Sequence, residues 1–299
     1  MMSHNESGAD ASWLDYGKAW PQYLLPHHLL SRGMHALARS RNSLIRKSLI
    51  GYFLRQFRID LSQAEIQDPR QFESFNAFFT RALRPETRPI CTDEDALISP
   101  VDATVSQAGR LTEAAVVQAK GKDYDAVTLL GGDAQRAEPF RNGQFLTMYL
   151  SPRDYHRIHM PLDGELREMV YVPGRLFSVS PATTRALPNL FARNERVALI
   201  FDTAIGPLAM VLVGALFVGS IETVWTGEVT PPPGRRIRSW QYRGSTHPAP
   251  LSVGAEVGRF NMGSTVILLT PPGAVAWEAG VVRDRHFTVG QRIGALTTS

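Results

Sequence analysis

The stretch TAIGPLAMVLVGALFVGSI, Thr203 to Ile221, decides the fold, because nineteen consecutive residues carry no charge. A membrane-spanning helix needs about 20 mostly apolar residues, so length alone admits that reading. The interior argues against it. Gly206, Pro207, Gly214 and Gly219 divide the run into strand-sized pieces such as Met210–Val213 and Ala215–Val218, and Asp202 and Glu222 close it at either end. Glycine and proline disfavour a helix interior but punctuate short strands. The run is therefore expected to form buried β-strands.

The same texture continues outward. Leu97-Ile98, Gln144–Leu150, Arg167–Val172, Arg196–Phe201 and Ser264–Leu269 are apolar or alternating runs separated by Gly, Pro and Asp turns. They predict a mostly β domain over residues 89–299. Upstream the period changes. Leu30, Met34, Leu37, Ile45, Leu49, Tyr52, Phe53 and Phe57 recur at three- and four-residue steps, which predicts helix over 20–58 with an apolar stripe. Ser43 suits an N-cap, placing a break near Arg41–Asn42. Asp68–Pro69 reads as the start of a further helix, with Phe72, Phe75, Phe78 and Phe79 on its apolar side. Residues 1–18 read as a loose leader. The expectation is an α+β chain: a leader and amphipathic helices over 1–88, then the β-rich domain, joined around Arg84–Thr92 with its Pro85 and Pro89.

Composition narrows the function. The chain has 299 residues, 43% of them apolar and 20% charged, with a net charge of +4. The charge is uneven: Lys18, Arg32, Arg39, Arg41, Arg46, Lys47, Arg55 and Arg58 occur with no Asp or Glu between Lys18 and Arg58. A basic amphipathic helix suits an anionic bilayer surface. No nucleic-acid reader motif accompanies it, and aromatics are not interleaved for base stacking, so no nucleic-acid partner is expected. The single cysteine, Cys91, rules out an intrachain disulfide and a cysteine-based metal site. No metal is expected. The first dozen residues lack the basic start and apolar run of a secretory signal.

Three segments carry possible chemistry: Ser99-Pro100-Val101-Asp102-Ala103, the run from Tyr149 to Pro161 that holds Arg153, Asp154, His156, Arg157 and His159, and Gly258 to Ile267 with Gly263-Ser264-Thr265. A serine hydroxyl becomes nucleophilic when a histidine takes its proton and a carboxylate orients the histidine. Taken alone, the same residues fit a turn aspartate, a core histidine and a strand-initiating serine. Gly-Ser-Thr also occurs at Gly244-Ser245-Thr246, in a polar, turn-rich stretch. Only Ser264 opens an apolar run that a strand can hold rigidly.

These segments resemble the phosphatidylserine decarboxylases of the bacterial membrane type. Phe78-Phe79-Thr80-Arg81-Ala82-Leu83-Arg84-Pro85, Gln118-Ala119-Lys120-Gly121, Tyr171-Val172-Pro173-Gly174, Pro188 to Arg196 and Gly219-Ser220-Ile221-Glu222-Thr223 resemble them too, so the likeness runs from about residue 20 to 290. It implies a proenzyme that cuts itself between Gly263 and Ser264 and converts Ser264 to a pyruvoyl group, the cofactor that takes the substrate amine as a Schiff base. It implies Asp102 and His159 as partners in self-cleavage, with Asp154 a rival carboxylate, and His156 as an acid or substrate contact in decarboxylation. Met262 stands where leucine is common in that family.

Arg153 and Arg157 are candidate contacts for the substrate phosphate; Lys120 is undecided. The implied partners are phosphatidylserine, an anionic membrane at the cytoplasmic face of the bacterial cell, and the two cleaved chains 1–263 and 264–299 held as a heterodimer or higher oligomer. Rival functions are a serine hydrolase using Ser264, His159 and Asp102 on a lipid ester, a non-catalytic lipid-binding module, and a decarboxylase of a soluble amino acid.

Overall fold

The computed structural model describes residues 11–113, 115–119, 122–217, 220–230, 236–245, 250–262 and 264–297. Expectations resting on Lys120, Gly121, Val218, Gly219 and Gly263 lie outside those residues, as does the start of the leader.

An antiparallel sheet of eight strands organises the chain. In spatial order these are Arg238–Gln241, Gly164–Val172, Arg196–Thr203, Gly206–Val213, Ser264–Thr270, Gln144–Leu150, Ala103–Arg110 and His286–Phe287. Its central strands are buried on both faces. Val266, Leu268, Met210 and Leu212 point into one core, and Ile267, Leu269, Ala209, Val211 and Val213 into another. A strand buried on both sides has no reason to alternate polar and apolar residues, which is why Gly206–Val213 reads as an unbroken apolar run. The second expected piece, Ala215–Val218, is not a strand over its described residues. The chain turns at Gly214, whose N–H donates to the Glu195 carbonyl at 2.8 Å and whose carbonyl accepts from Asn194 Nδ2 at 2.9 Å.

A four-stranded sheet packs beside the first, ordered Gly227–Glu228, Ile221–Thr223, Glu256–Phe260, Arg157–His159. Gly258 permits its centre: a Cβ there would meet the Glu222 carbonyl oxygen at 2.2 Å. Ala96–Ile98, Arg292–Leu296 and Val275–Trp277 form a third sheet, and Ala115–Ala119 pairs with Lys122–Asp125.

Short helices at Ala126–Leu129, Ala134–Ala137, Pro181–Ala186 and Leu190–Arg193 lie among the strands, and the remaining α-helices precede the sheets, giving the α+β class. Those that precede are α1 (Trp13–Ala19), α2 (His27–Ala38), α3 (Ser43–Phe57) and α4 (Phe75–Phe79). Three expectations change here. Part of the supposed loose leader is α1, closed by a capping box between Ser12 and Asp15 and tied to the body by Asp15 and Arg185, 2.9 Å apart. The cap of α3 is Asn42 rather than Ser43; its Oδ1 accepts from the Leu44 and Ile45 N–H groups. No helix starts at Asp68–Pro69. Asp68 folds onto the Arg70 N–H and guanidinium as a turn, and the helix waits for Ser74, whose Oγ caps Ala77. The four phenylalanines still share one buried cluster. No helix among the described residues is long and apolar enough to cross a membrane.

Candidate active site

Two segments cross the same gap between sheets. Gln144–Leu150 and Ser264–Thr270 pair as far as Leu150 opposite Ser264. Arg157–His159 and Glu256–Phe260 pair in the smaller sheet, and the Phe260 N–H reaches the His156 carbonyl at 3.0 Å. Between these fixed points residues 151–155 pass from one sheet to the other, and residues 261–262 follow the Phe260 end of the second connection. Register alone thus brings Ser264 and His156 to the two ends of one crossing.

Ser264 is fully buried and its Oγ has no hydrogen-bond partner. Such an orphan hydroxyl costs about 1–3 kcal/mol. Strain accumulates beside it. Met262 has φ +114°, a region L-residues rarely enter, at a cost of order 1–3 kcal/mol. Its side chain is nevertheless seated in the Phe72, Phe75, Phe78 and Phe79 cluster. Asn261 pins the preceding residue: its N–H donates to the Ser220 carbonyl at 2.9 Å, and its Oδ1 accepts from Asn76 at 3.0 Å.

His156 is fully buried under Phe79, ring centroids 4.1 Å apart. Its Nδ1 lies 2.8 Å from the Asp154 carbonyl. A carbonyl only accepts, so Nδ1 carries the proton and Nε2 is bare; Nε2 has no partner. Burial, reinforced by the nearby Arg81 charge, pushes the imidazole pKa down to about 3. The residue is therefore neutral at pH 7. The ring thus rests neutral with a free acceptor nitrogen.

His159 is fixed in the same tautomer. Its Nδ1–H donates to the Gly254 carbonyl at 2.8 Å, and its Nε2 accepts from the Tyr155 hydroxyl at 3.1 Å. Gly254 presents that carbonyl from φ +78°, a conformation that favours glycine. Burial also lowers the His159 pKa. Neither candidate carboxylate touches this ring. Asp102 is gripped by Arg88 Nε at 2.9 and 3.1 Å and by the Val289 N–H at 2.8 Å. Asp102 is thus engaged by a two-pronged guanidinium and a backbone donor, and acts on His159 as a nearby charge rather than through a hydrogen bond in this arrangement. Asp154 accepts from the Ser151 N–H at 2.7 Å and faces His286 at 3.4 Å.

Of the arginines expected to meet substrate, Arg157 is occupied by the Thr80 carbonyl at 3.0 Å and by Glu256 at 2.9 Å. Arg153 is exposed at the rim of a cavity of about 310 Å³ whose lining includes Arg81, Arg88, Asp102, Asp154 and Tyr155. Tyr155 links that cavity to His159 through its hydroxyl, and Asp154 links it to His156 through its carbonyl. Arg81, Arg88, Tyr155 and His286 were not singled out as site residues in the sequence. For Arg81 the only signal was its place in the block Phe78–Pro85.

Comparison with known proteins identifies the family. A family described as phosphatidylserine decarboxylase matches residues 75–295, and one described as PSD matches residues 18–58. A phosphatidylserine decarboxylase proenzyme of Nitrosococcus oceani is 54% identical over 278 residues, covering 93% of this chain and 90% of that one. One of Methylococcus capsulatus is 52% identical over 92% of this chain and 94% of its own length. One of Azotobacter vinelandii is 53% identical over 91% and 96%. With more than half the chain matched by the family and relatives of this identity aligned over nearly their whole length, the chain belongs to the phosphatidylserine decarboxylase family.

Proposed function

We propose that this decarboxylase of phosphatidylserine arises by self-cleavage between Gly263 and Ser264, and that Ser264 is the source of its pyruvoyl group. The observation that carries the reading is the state of Ser264. Its hydroxyl is sealed from water and free of any partner, two residues after the strained Met262, while the strand it opens pairs with Leu150 opposite Ser264 and with Val213 opposite Thr265.

Ser264 Oγ would attack the Gly263 carbonyl, exchanging an amide for an ester as its proton leaves for a base. His159 is our base, with the Gly254 carbonyl rather than a carboxylate holding its tautomer; the Tyr155 hydroxyl must yield or relay the proton. Asp102 then acts at one remove, anchoring Arg88 and the 289 backbone beside the site. Relief of the strain at Met262 favours opening the chain one residue further on, at Gly263–Ser264. Elimination of the ester and hydrolysis, with loss of ammonia, leave residues 1–263 and 264–299.

The Ser264 site fits a pyruvoyl group, because the three carbons of that group would be those of Ser264, with its ketone oxygen supplied by the water that displaces ammonia and the original Oγ retained by the carboxylate of residue 263. A pyruvoyl supplies a ketone that engages the substrate amine and an electron sink for the pair released with carbon dioxide. His156 serves that stage. A proton placed on its buried Nε2 is readily given up, so the ring can deliver it to the substrate α-carbon. Intact-mass analysis of the purified protein beside Ser264→Ala tests the scheme. Two pieces from the first and one from the second are expected; an undivided wild-type chain that decarboxylates the lipid would sink it.

Access to a bilayer substrate follows from the helices. Trp13 is 91% exposed, Leu24 90% and Leu14 78%, with Trp20 and Leu29 exposed beside them. These apolar side chains and the basic residues from Lys18 to Arg58 suit peripheral binding to an anionic cytoplasmic leaflet. Pairing Trp20→Glu with Leu24→Glu should reduce cosedimentation with phosphatidylserine-containing vesicles; unchanged cosedimentation would remove the claim. The two chains should stay together, since Ser264–Thr270 lies inside the large sheet between strands of the larger piece.

A further inference from the structure

The cavity beside the site holds a buried guanidinium, Arg81, that packs over the Phe78 ring at 5.8 Å and feels Asp102 and Asp154 only at longer range, with no direct ion pair among the described residues. Arg81 is 95% buried by its surroundings, being only 5% exposed. One Nη donates to the Arg153 carbonyl at 3.2 Å; Nε and the other Nη have no partner. No carboxylate lies in salt-bridge contact with it among the described residues. The other charges of the cavity wall are mostly committed. Arg88 is bound to Asp102, Asp60 to the Ser62 hydroxyl and N–H, and Asp154 to the Ser151 N–H, His286 and, at 3.8 Å, Arg153. Arg58 opens onto the same space. Burying guanidinium donors without an acceptor is costly, and burial pulls the Arg81 pKa down. A fold that keeps such a group unpaired is preorganised for an anion.

We propose that Arg81 is the anchor for the phosphodiester of the lipid headgroup, with Arg58 and Arg153 at the mouth of the same cavity. The assignment rests on the decarboxylase reading above. Phosphatidylserine carries two anions, and the chemistry chooses between them. The carboxylate must lose its charge as carbon dioxide forms. A buried arginine on it would stabilise the ground state more than the transition state and slow the reaction. The phosphodiester keeps its charge throughout, so binding it tightly carries no such penalty. Phe79, two residues before Arg81, stacks on His156, and the Arg81 charge is felt at His156. The anchor is thus next to the ring that serves the reacting carbon.

The test uses mature, self-cleaved enzyme, with sn-glycero-3-phosphoethanolamine as probe, ethanolamine as its phosphate-free counterpart and inorganic phosphate as a third arm. In wild-type protein the 15Nε–1H signal of Arg81, identified by its loss in Arg81→Lys, should shift with the glycerophosphodiester and stay still with ethanolamine. Arg81→Gln should weaken probe binding and raise the KM for phosphatidylserine vesicles by roughly ten- to hundredfold, the value of a charge-assisted hydrogen bond. Arg81→Lys should lose less.

A silent Arg81 signal overturns the proposal. So does Arg81→Gln with wild-type affinity, or an equal response to inorganic phosphate at the same concentration, which would assign the site to the free ion. If Arg81→Gln does not fold, the wild-type titration decides alone. Wild-type enzyme that released no carbon dioxide from phosphatidylserine vesicles would sink the wider reading; normal release with a silent Arg81 would sink only this site.

Discussion

Gly-Ser-Thr occurs twice in this chain, and the two serines have opposite surroundings. Ser245 is exposed in a turn, its N–H on the Tyr242 carbonyl. Ser264 begins a strand with neighbours on both sides; it is sealed from water and its hydroxyl is unclaimed. Water would satisfy and relax an exposed hydroxyl, whereas an orphan one in a rigid frame retains its cost and its reactivity. A tripeptide is therefore not a cleavage signal by itself; the sheet that receives it makes the difference.

The largest expected effect comes from deleting the buried hydroxyl. Ser264→Ala should leave one intact chain by mass spectrometry and abolish release of carbon dioxide from phosphatidylserine. It removes one oxygen from a packed strand, so the protein should still fold. Normal processing in this variant would erase the contrast between the two serines.

Next in size is the ring across the gap. His156→Gln should lower decarboxylation by about 10²–10⁴-fold, the range for losing a positioned acid–base group, measured on whatever cleaved enzyme it forms. The residue was visible in the sequence because the run from Tyr149 to Pro161 holds two histidines three residues apart. What orients each ring was not visible. Spacing cannot report that the Gly254 carbonyl, 95 positions away, meets His159, or that Arg88 claims Asp102. Those pairings are set by loops returning from separate sheets.

A broader effect should follow from pH. Burial lowers the pKa values of His27, His156 and His159. Each binds a proton more readily unfolded than folded, so their neutral burial costs nothing above the unfolded value of 6.5 and destabilises the fold as pH falls below it. For His156 that window runs down to about 3. Urea midpoints should fall between pH 7 and pH 5, and fall less in His156→Gln. A midpoint flat over that interval would contradict the neutral, buried assignment of these rings.

The fold divides along the same line between local and distant causes. Central strands were legible because continuous apolar residues broken by Gly and Pro leave few alternatives. Helix ends were less so. Asn42 outcompeted Ser43 as a cap, and Asp68 chose its neighbour Arg70 over a helix. Such contests turn on one or two hydrogen bonds, and sequence does not say which is made. The helix α1 was missed because its stability draws on Arg185, far along the chain.

The smallest expected effect is the control on the opening contrast. Ser245→Ala alters an exposed hydroxyl, and surface substitutions of that kind usually stay within about 0.5 kcal/mol. Stability, cleavage and decarboxylation should match wild type when measured side by side. Its value lies in the pairing with Ser264→Ala, since the same atom is removed from the same tripeptide in both. A slowed cleavage in Ser245→Ala would mean that the turn influences the cleavage site, and that the buried strand is not the sole cause of the difference between the two serines.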